Sequence, residues 1–301
     1  MPTKRIDMSI KASDVKALRD RTGAGMMACK KALTETGNDL EKAIDFLRKA
    51  GEAKAAKAAT RTAAEGRVTT AANDAVTEAV VLEINSETDF SAKNEDFIAF
   101  AEQAAAVALA ENPVDVDALM ALPHPNGEGT LESQRQALIN KIGENINVRR
   151  FMKKTSDHAI GHYCHRERIG VLVILDQNKP ELARDIAFHI AAINPQVIDS
   201  DGVPAELVER ERQIYLEQTK ESGKPEEIAK KMVEGRIKKY LREISLVDQQ
   251  FVKNPDVTIG SMLESEGAKV LDFVRYELGE GIDKKVVDFR EEVMQQAKGS
   301  N

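Results

Sequence analysis

Apolar residues in the first fifty positions recur at helical spacing and are interrupted three times. Val15 and Leu18 fall within "DVKALRDRT", which Ser13 is placed to cap and Gly23 to stop. Met27, Ala32 and Leu33 follow in "MMACKKALTET", closed by Gly37. Leu40, Ile44 and Leu47 lie in "DLEKAIDFLRKA", where Asn38 with Glu41 has the form of a capping box and Gly51 marks an end. The pattern predicts three short helices around one small core. A core of that size is marginal alone, which suits docking better than catalysis. "EAKAAKAATRTAAEG" continues as an Ala/Lys helix or linker.

Beyond Arg67 the period changes. "RVTTAA" and "TEAVVLEI" flank Asn73-Asp74 as a predicted hairpin. A helix then runs from Asn94 to about Pro113, a short one covers 115–121, and Thr130 opens another after the loop "PHPNGEG". The strand-like segments "NINVRRFM", "AIGHYCH" and "RIGVLVILD" precede a helix over "PELARDIAFHIAAINP". Within this stretch "AVVLEIN…FIAFAEQAAAVALAENP" is echoed by "GVLVILD…LARDIAFHIAAINP": a buried strand, a polar connection, and an Ala-rich helix ending in Asn-Pro. The echo predicts an α+β fold whose core is two related subdomains side by side, each an antiparallel sheet covered by helices.

Residues 204–244 read as two helices joined at "ESGKP", with Leu207, Ile214, Tyr215, Ile228, Met232, Ile237 and Leu241 as one apolar stripe. Such a hairpin either self-associates or packs on its own body. A short helix near "IGSMLESEG", a strand in "AKVLDFVRYELG" and a C-terminal helix with Val286, Phe289, Val293 and Ala297 on one face complete the pass.

Composition sharpens the picture. At 301 residues the chain has room for two or three cores, and with 4% aromatics and no Trp those cores must be aliphatic and Ala-packed. No apolar run approaches the roughly 20 residues that span a bilayer, and "MPTKRIDMSIKASD" lacks a secretory h-region. Cys29 and Cys164 form no CxxC pair, which favours free thiols in a reducing compartment. A cytoplasmic protein is expected. Residues 1–63 carry 14 Lys and Arg against 8 Asp and Glu, a net +6; the whole chain is −7, so the remainder carries −13. A basic end on an acidic body suits a nucleic acid or an acidic protein surface. Phe46 is the one aromatic in that end, so base stacking is not on offer and a protein partner is favoured.

Enzymatic chemistry finds little support. "GAGMMA" fits GxGxxA in form, but a helix precedes it where a dinucleotide site needs a strand, and no GxxxxGK[ST] occurs. In "HAIGHYCH" a strand would turn His162 and Cys164 one way and Tyr163 and His165 the other, so the cluster does not converge on a metal. Neither cysteine sits in the electropositive strand-to-helix setting of a nucleophile. One feature stands apart. Asp89-Phe90 lies in the polar connection of the first strand–helix unit, and the second unit lacks it. Either Phe90 folds back near Phe97, or Thr88 or Asp89 caps a turn that holds the ring outward as an interface anchor.

"VKALRDRTGAGMMACKKALTETGNDLEKAIDFLRKAG", "TDFSAKNEDF", "KIGENINVRR", "RIGVLV" and "SGKPEEIAKKMVEGR" in this order closely resemble the bacterial elongation factor Ts family, from about Lys11 to the C-terminal helix. The resemblance implies a guanine-nucleotide exchange factor for elongation factor Tu in translation, and no covalent chemistry or cofactor. It implies a ubiquitin-associated-like N-terminal domain over 1–55 and a core N-subdomain over 56–150. It further implies a core C-subdomain over 151–203 and 245–280, a helical-hairpin (coiled-coil) dimerisation module over 204–244 and a C-terminal module over 281–301. By the resemblance, Thr88, Asp89, Phe90 and Ser91 match the exchange element. Phe90 would wedge between histidines of the partner's GTP-binding domain, disturb its phosphate loop and dislodge Mg²⁺. Arg19, Met26, Met27 and Lys30 match the N-terminal partner surface, and Ile142, Gly143 and His165 match further core contacts. The implied partner is elongation factor Tu, GDP-bound or nucleotide-free, with a homodimer through 204–244 and neither membrane nor direct nucleic acid. Two positions depart from the family pattern: Ser91 stands where an apolar residue is common, and Ala28 where an acidic one often occurs. The extension before Lys11 is longer than usual and has no assigned role. A noncatalytic dimeric scaffold is the alternative reading.

Overall fold

Each of the two continuous apolar runs becomes the central strand of a three-stranded antiparallel sheet, and the rest of the fold follows from that. The computed structural model describes residues 10–125, 129–220 and 226–283. The predicted C-terminal helix and the junction "ESGKP" lie outside them. In the first unit β1 (Glu65–Ala72) and β2 (Glu78–Ser86) form the expected hairpin through a turn over 73–77, and β3 (Asn147–Thr155) lies on the other side of β2. Four helices lie between β2 and β3, and three N-terminal helices precede β1. Those are α1 (Ala12–Thr22), α2 (Met26–Glu35) and α3 (Leu40–Ala58). The four are α4 (Asp89–Ala92), α5 (Glu95–Glu111), α6 (Val116–Ala121) and α7 (Leu131–Ile142).

The second unit repeats the plan with β4 (Gly161–His165), β5 (Ile169–Leu175), α8 (Pro180–Ile193) and, much later, the strand at Val270–Glu277 beside β5. The sequence echo is therefore an echo of topology: a hairpin, a covering helix, and a late strand on the free side of the central one. Both long helices stop on an Asn in the left-handed region, Asn112 at φ 46° and Asn194 at φ 57°, with Pro next. The left-handed residue ends the ladder and Pro cannot resume it.

The two sheets stack face to face rather than side by side. On β2, Val80, Leu82 and Ile84 pack with Phe97, Phe100 and Ala104 of α5, while Ala79 and Val81 on its other face meet Leu172 of β5. On β5, Val171, Val173 and Leu175 pack with Ile186 and Ile190 of α8. A strand apolar on both faces needs cover on both, and here β2 and β5 each have a helix outside and the other sheet inside. Gly170 lies at the contact: a Cβ there would come within 2.6 Å of Val68 and 2.7 Å of Val81. Fully buried Glu83 bridges the units at one end. It accepts from Arg150 Nε at 2.6 Å and Arg149 Nη1 at 3.1 Å on its own sheet and from the Gly279 backbone N at 2.8 Å just past the last strand. Burial pushes its carboxyl up, but the Gly279 N–H, the Asn85 amide and Arg150 together hold it below the ordinary range.

The N-terminal helices enclose Val15, Leu18, Cys29, Ala32, Leu33 and Ala43. Four local expectations need correction. Ser13 does not cap α1, which starts earlier with Lys11 at the N-cap; Ser13 sits in the first turn and bonds Asp14. Asn38 adopts φ 62° on leaving α2 and donates to Asp14, so Asp39 caps α3 by accepting from Lys42 N. Met27 points opposite the buried Cys29–Ala32–Leu33 stripe and is 76% exposed. Gly51 ends nothing. α3 runs through it to Ala58, and its missing side chain admits Asn140 of α7, whose Nδ2 lies 2.2 Å from where a Cβ would stand. Ala55 and Ala58 then enter the first unit's core, so one helix joins the N-terminal lobe to it.

The hairpin is made of α9 (Ala205–Lys220) and α10 (Glu226–Ile244), with Arg212 ion-paired to Glu234 across it. Its base is fixed by a parallel bridge between Val197 and Ser245. Ile237 is buried as expected, with Val233 beside it in the seam, whereas Ile214 and Ile228 are 38% and 49% exposed. A small hairpin, β6 (Gln250–Phe251) and β7 (Asn254–Thr258), follows, then α11 (Ile259–Glu266) and β8, the Val270–Glu277 strand. The β6–β7 hairpin has no counterpart among the sequence expectations, being too short and too polar to show a period.

Candidate functional site

Phe90 is 80% exposed, the most exposed aromatic among the described residues, while Phe97 seven positions later is fully buried. The alternative in which Phe90 folds back near Phe97 is thereby ruled out. The backbone explains the difference. β2 ends at Ser86, and the chain must turn before Asn94 can cap α5 by accepting from Asp96 N at 3.0 Å. Thr88, extended at φ −124° and ψ 157°, caps the single turn α4 in between, its Oγ1 accepting from Ser91 N at 3.3 Å. That turn faces Ser91 inward, where it is buried, and Phe90 outward. Ser91, a departure from the family pattern, is thus buried, and its backbone N–H takes part in the cap.

The turn is held by groups distant in sequence. Thr88 donates both its hydroxyl, at 2.7 Å, and its backbone N–H, at 3.0 Å, to the two carboxylate oxygens of Glu144. Ser86 Oγ donates to Thr88 O at 2.9 Å. Glu87 accepts from Asn145 N and pairs with Arg61 at 3.1 Å, while Arg61 Nη2 reaches Gly143 O at 3.1 Å and Asn145 Nδ2 reaches Arg61 O at 2.7 Å. Asp89 pairs with Lys93 at 2.7 Å, and that hydrogen bond holds its carboxyl below the ordinary range. Lys93 Nζ also stands 5.9 Å from the Phe90 ring centroid.

This network brings two predicted segments together. Ile142 is half-buried against the first core, and Gly143, at φ 91°, ends α7 in a conformation that disfavours other residues. Glu144 comes next, so the turn that presents Ile142 and Gly143 also grips Thr88. His165 lies exposed at the end of β4, its Nδ1 2.9 Å from Tyr163 Oη. It belongs to the same end of the sandwich: its carbonyl accepts from Arg168 N, Arg168 pairs with Glu65 at 3.2 Å, and Glu65 is paired with Ser86 in the sheet. Arg19, Met26, Met27 and Lys30 stand apart from this end on the N-terminal lobe. All four are exposed on α1 and α2, Met26 at 60%, and Ala28 is exposed among them.

Arg61, Glu87 and Glu144 were not singled out from sequence. Glu144 lies inside the quoted "KIGENINVRR", but nothing in the spacing pairs it with a residue 56 positions away. In "HAIGHYCH", Tyr163 and His165 share one face, while Cys164 Sγ donates to Val68 O at 3.3 Å on the other. Burial pushes that thiol above its ordinary range. Among the described residues no group of three or more His, Cys, Asp or Glu side chains is placed to hold a metal ion.

Comparison with known proteins adds an independent line. A family profile described as Elongation factor TS matches residues 87–280. The chain is 55% identical over 296 residues to the elongation factor Ts of Thioalkalivibrio sulfidiphilus, covering 97% of this chain and 100% of that one. It is 53% identical over 294 residues to the protein of the same name from Methylococcus capsulatus, with coverage of 97% and 100%. With the Coxiella burnetii protein of that name it shares 51% over 287 residues, with coverage of 95% and 97%.

Proposed function

The chain belongs to the elongation factor Ts family, and from that premise we propose that it is the guanine-nucleotide exchange factor of elongation factor Tu in translation, working in the cytoplasm. It makes and breaks no covalent bond. It binds the GDP-bound partner, presents Phe90 to histidines of the GTP-binding domain, disturbs the phosphate and Mg²⁺ site, and holds the nucleotide-free state until a new nucleotide enters. The observation that carries this reading is Phe90, 80% exposed on a turn that is capped and clamped, its ring outside every core of the chain. A rigid aromatic so presented is the usual form of an interface anchor.

Magnitudes decide how the work is divided. Whatever factor the exchange factor loosens nucleotide binding by, nucleotide loosens its own grip by the same factor. Burying one Phe is worth roughly 1.5–3 kcal/mol, or about one to two powers of ten in affinity. Loosening beyond that range must draw on other contacts. Arg19, Met26, Met27 and Lys30 on the lobe and Ile142, Gly143 and His165 on the core supply them.

The test is release of fluorescent GDP from purified elongation factor Tu. The wild type accelerates release and Phe90→Ala slows it at least tenfold. Thermal stability changes by less than about 0.5 kcal/mol, as for an exposed position. A loss of about 3–5 kcal/mol would instead mark a core residue. A dimeric scaffold acting through the hairpin, favoured by exposed Ile214 and Ile228, predicts no acceleration by either protein.

A further inference from the structure

Resting on that reading, we propose that Glu144 is the positioning residue of the exchange element: its carboxylate holds the Thr88 turn, and with it Phe90, in the presenting pose. A single helical turn does not hold itself, because fixing its backbone costs more than its one or two hydrogen bonds return. α4 spans only Asp89–Ala92, and the exposed Phe90 ring adds no packing to secure it. Buried Ser91, half-buried Ala92 and the Ser86 hydroxyl secure its inner side, and the two contacts from Glu144, at 2.7 and 3.0 Å, fix Thr88 at its start.

The chemistry of the Thr88 hydroxyl makes the dependence specific. A hydroxyl has one proton and two lone pairs. Giving the proton to Glu144 Oε1 at 2.7 Å fixes the rotor and leaves a lone pair for Ser91 N, the bond that caps α4. Glu144 Oε2 meanwhile satisfies the Thr88 N–H at 3.0 Å, so both carboxylate oxygens are occupied within the chain. Through these two bonds the carboxylate acts on Phe90 by way of Thr88. Because Glu144 follows Gly143 directly, engagement of the Ile142–Gly143 turn and presentation of Phe90 belong to one rigid unit.

The test measures GDP release from elongation factor Tu loaded with fluorescent GDP, with the factor titrated to saturation. Glu144→Ala should lower the saturating rate about tenfold, the scale of a charge-assisted hydrogen-bond pair. The half-saturating concentration should stay near wild type and the thermal midpoint should fall by no more than a few degrees. Thr88→Val should do the same, the double variant no worse than either, and Thr88→Ser should keep the wild-type rate within about twofold. Should Glu144→Ala fail to fold, Glu144→Gln, which keeps one acceptor oxygen, should give an intermediate rate. A wild-type saturating rate in Glu144→Ala or Glu144→Gln overturns the proposal. A raised half-saturating concentration at unchanged saturating rate also overturns it, since that marks a contact residue. Phe90→Ala is the reference: if it too releases GDP at the wild-type rate, the exchange reading fails, and if it alone is slow, only the role of Glu144 does.

Discussion

Phe90 and Phe97 are the same side chain with opposite fates: hydrogen bonding at Thr88 sets the turn that carries Phe90 outward, whereas Phe97 lies on the core face of α5. His189 shows the same control at a buried polar site. Its Nδ1 accepts from Val252 N at 3.3 Å, so Nε2 carries the proton and donates to Gln249 Oε1 at 2.9 Å. Gln249 in turn donates to Glu243 O at 2.7 Å, tying α8 to the end of α10. A second proton would set N–H against N–H in a buried site. Burial accordingly holds the imidazole below its ordinary value of 6.5, against the Gln249 bond, which pulls upward. The unfolded chain then binds the proton more readily, so this site's contribution is whole above about pH 6.5 and declines as pH falls towards the folded value. His124, also held low by burial, adds slope of the same sign. Urea unfolding from pH 8 to 5 should therefore show stability falling with acid, and less steeply in His189→Gln. Equal slopes in both proteins would remove His189 from the account.

At the scale of elements, punctuation and period made most of the helices and strands legible. Asn94, Thr130 and the Asn-Pro pairs sit where caps and stops form, because capping is local chemistry. Gly51 was illegible for the complementary reason. A glycine after an apolar stripe reads as a stop, and only the approach of α7 reveals that it serves close packing instead. Gly170 is the same case between sheets. Val68 and Val81 are β-branched and fixed on adjacent strands of the facing sheet, so neither can retreat from an added methyl. Gly170→Ala should cost about 1–3 kcal/mol, the range of core overpacking, readable as a lower urea midpoint. A variant as stable as wild type would mean that the sheets can part without penalty.

In the whole molecule, α3 links the basic lobe to the unit that carries the exchange turn. It packs on α7 through Gly51, Lys54 Nζ reaches Asn140 O at 2.9 Å, and Arg61 beyond its end joins the network around Gly143 and Glu87. On the proposed reading, capture of the partner by the lobe would place Phe90 within a constrained volume. A charged surface that captures acts on encounter, over a screening length of about 10 Å at 0.1 M salt. Arg19→Ala and Lys30→Ala should slow association with elongation factor Tu several-fold at low salt, with the deficit shrinking towards 0.5 M. Stopped-flow association rates across a salt series read this directly. A salt-independent change confined to dissociation would assign the two residues to short-range contact instead.

Period, caps and composition settled most of the local states: the longer helices and strands among the described residues, the repeat of two strand–helix units, and the Asp89-Phe90 connection peculiar to one of them. Those features depend on neighbours within a turn or two, whose chemistry is written in order along the chain. Which face of each sheet meets which partner, that Gly51 and Gly170 are contact points, and that Glu144 holds Thr88 were decided only by the folded chain. Each depends on residues tens of positions apart meeting at van der Waals or hydrogen-bond distance, and linear spacing does not encode that meeting.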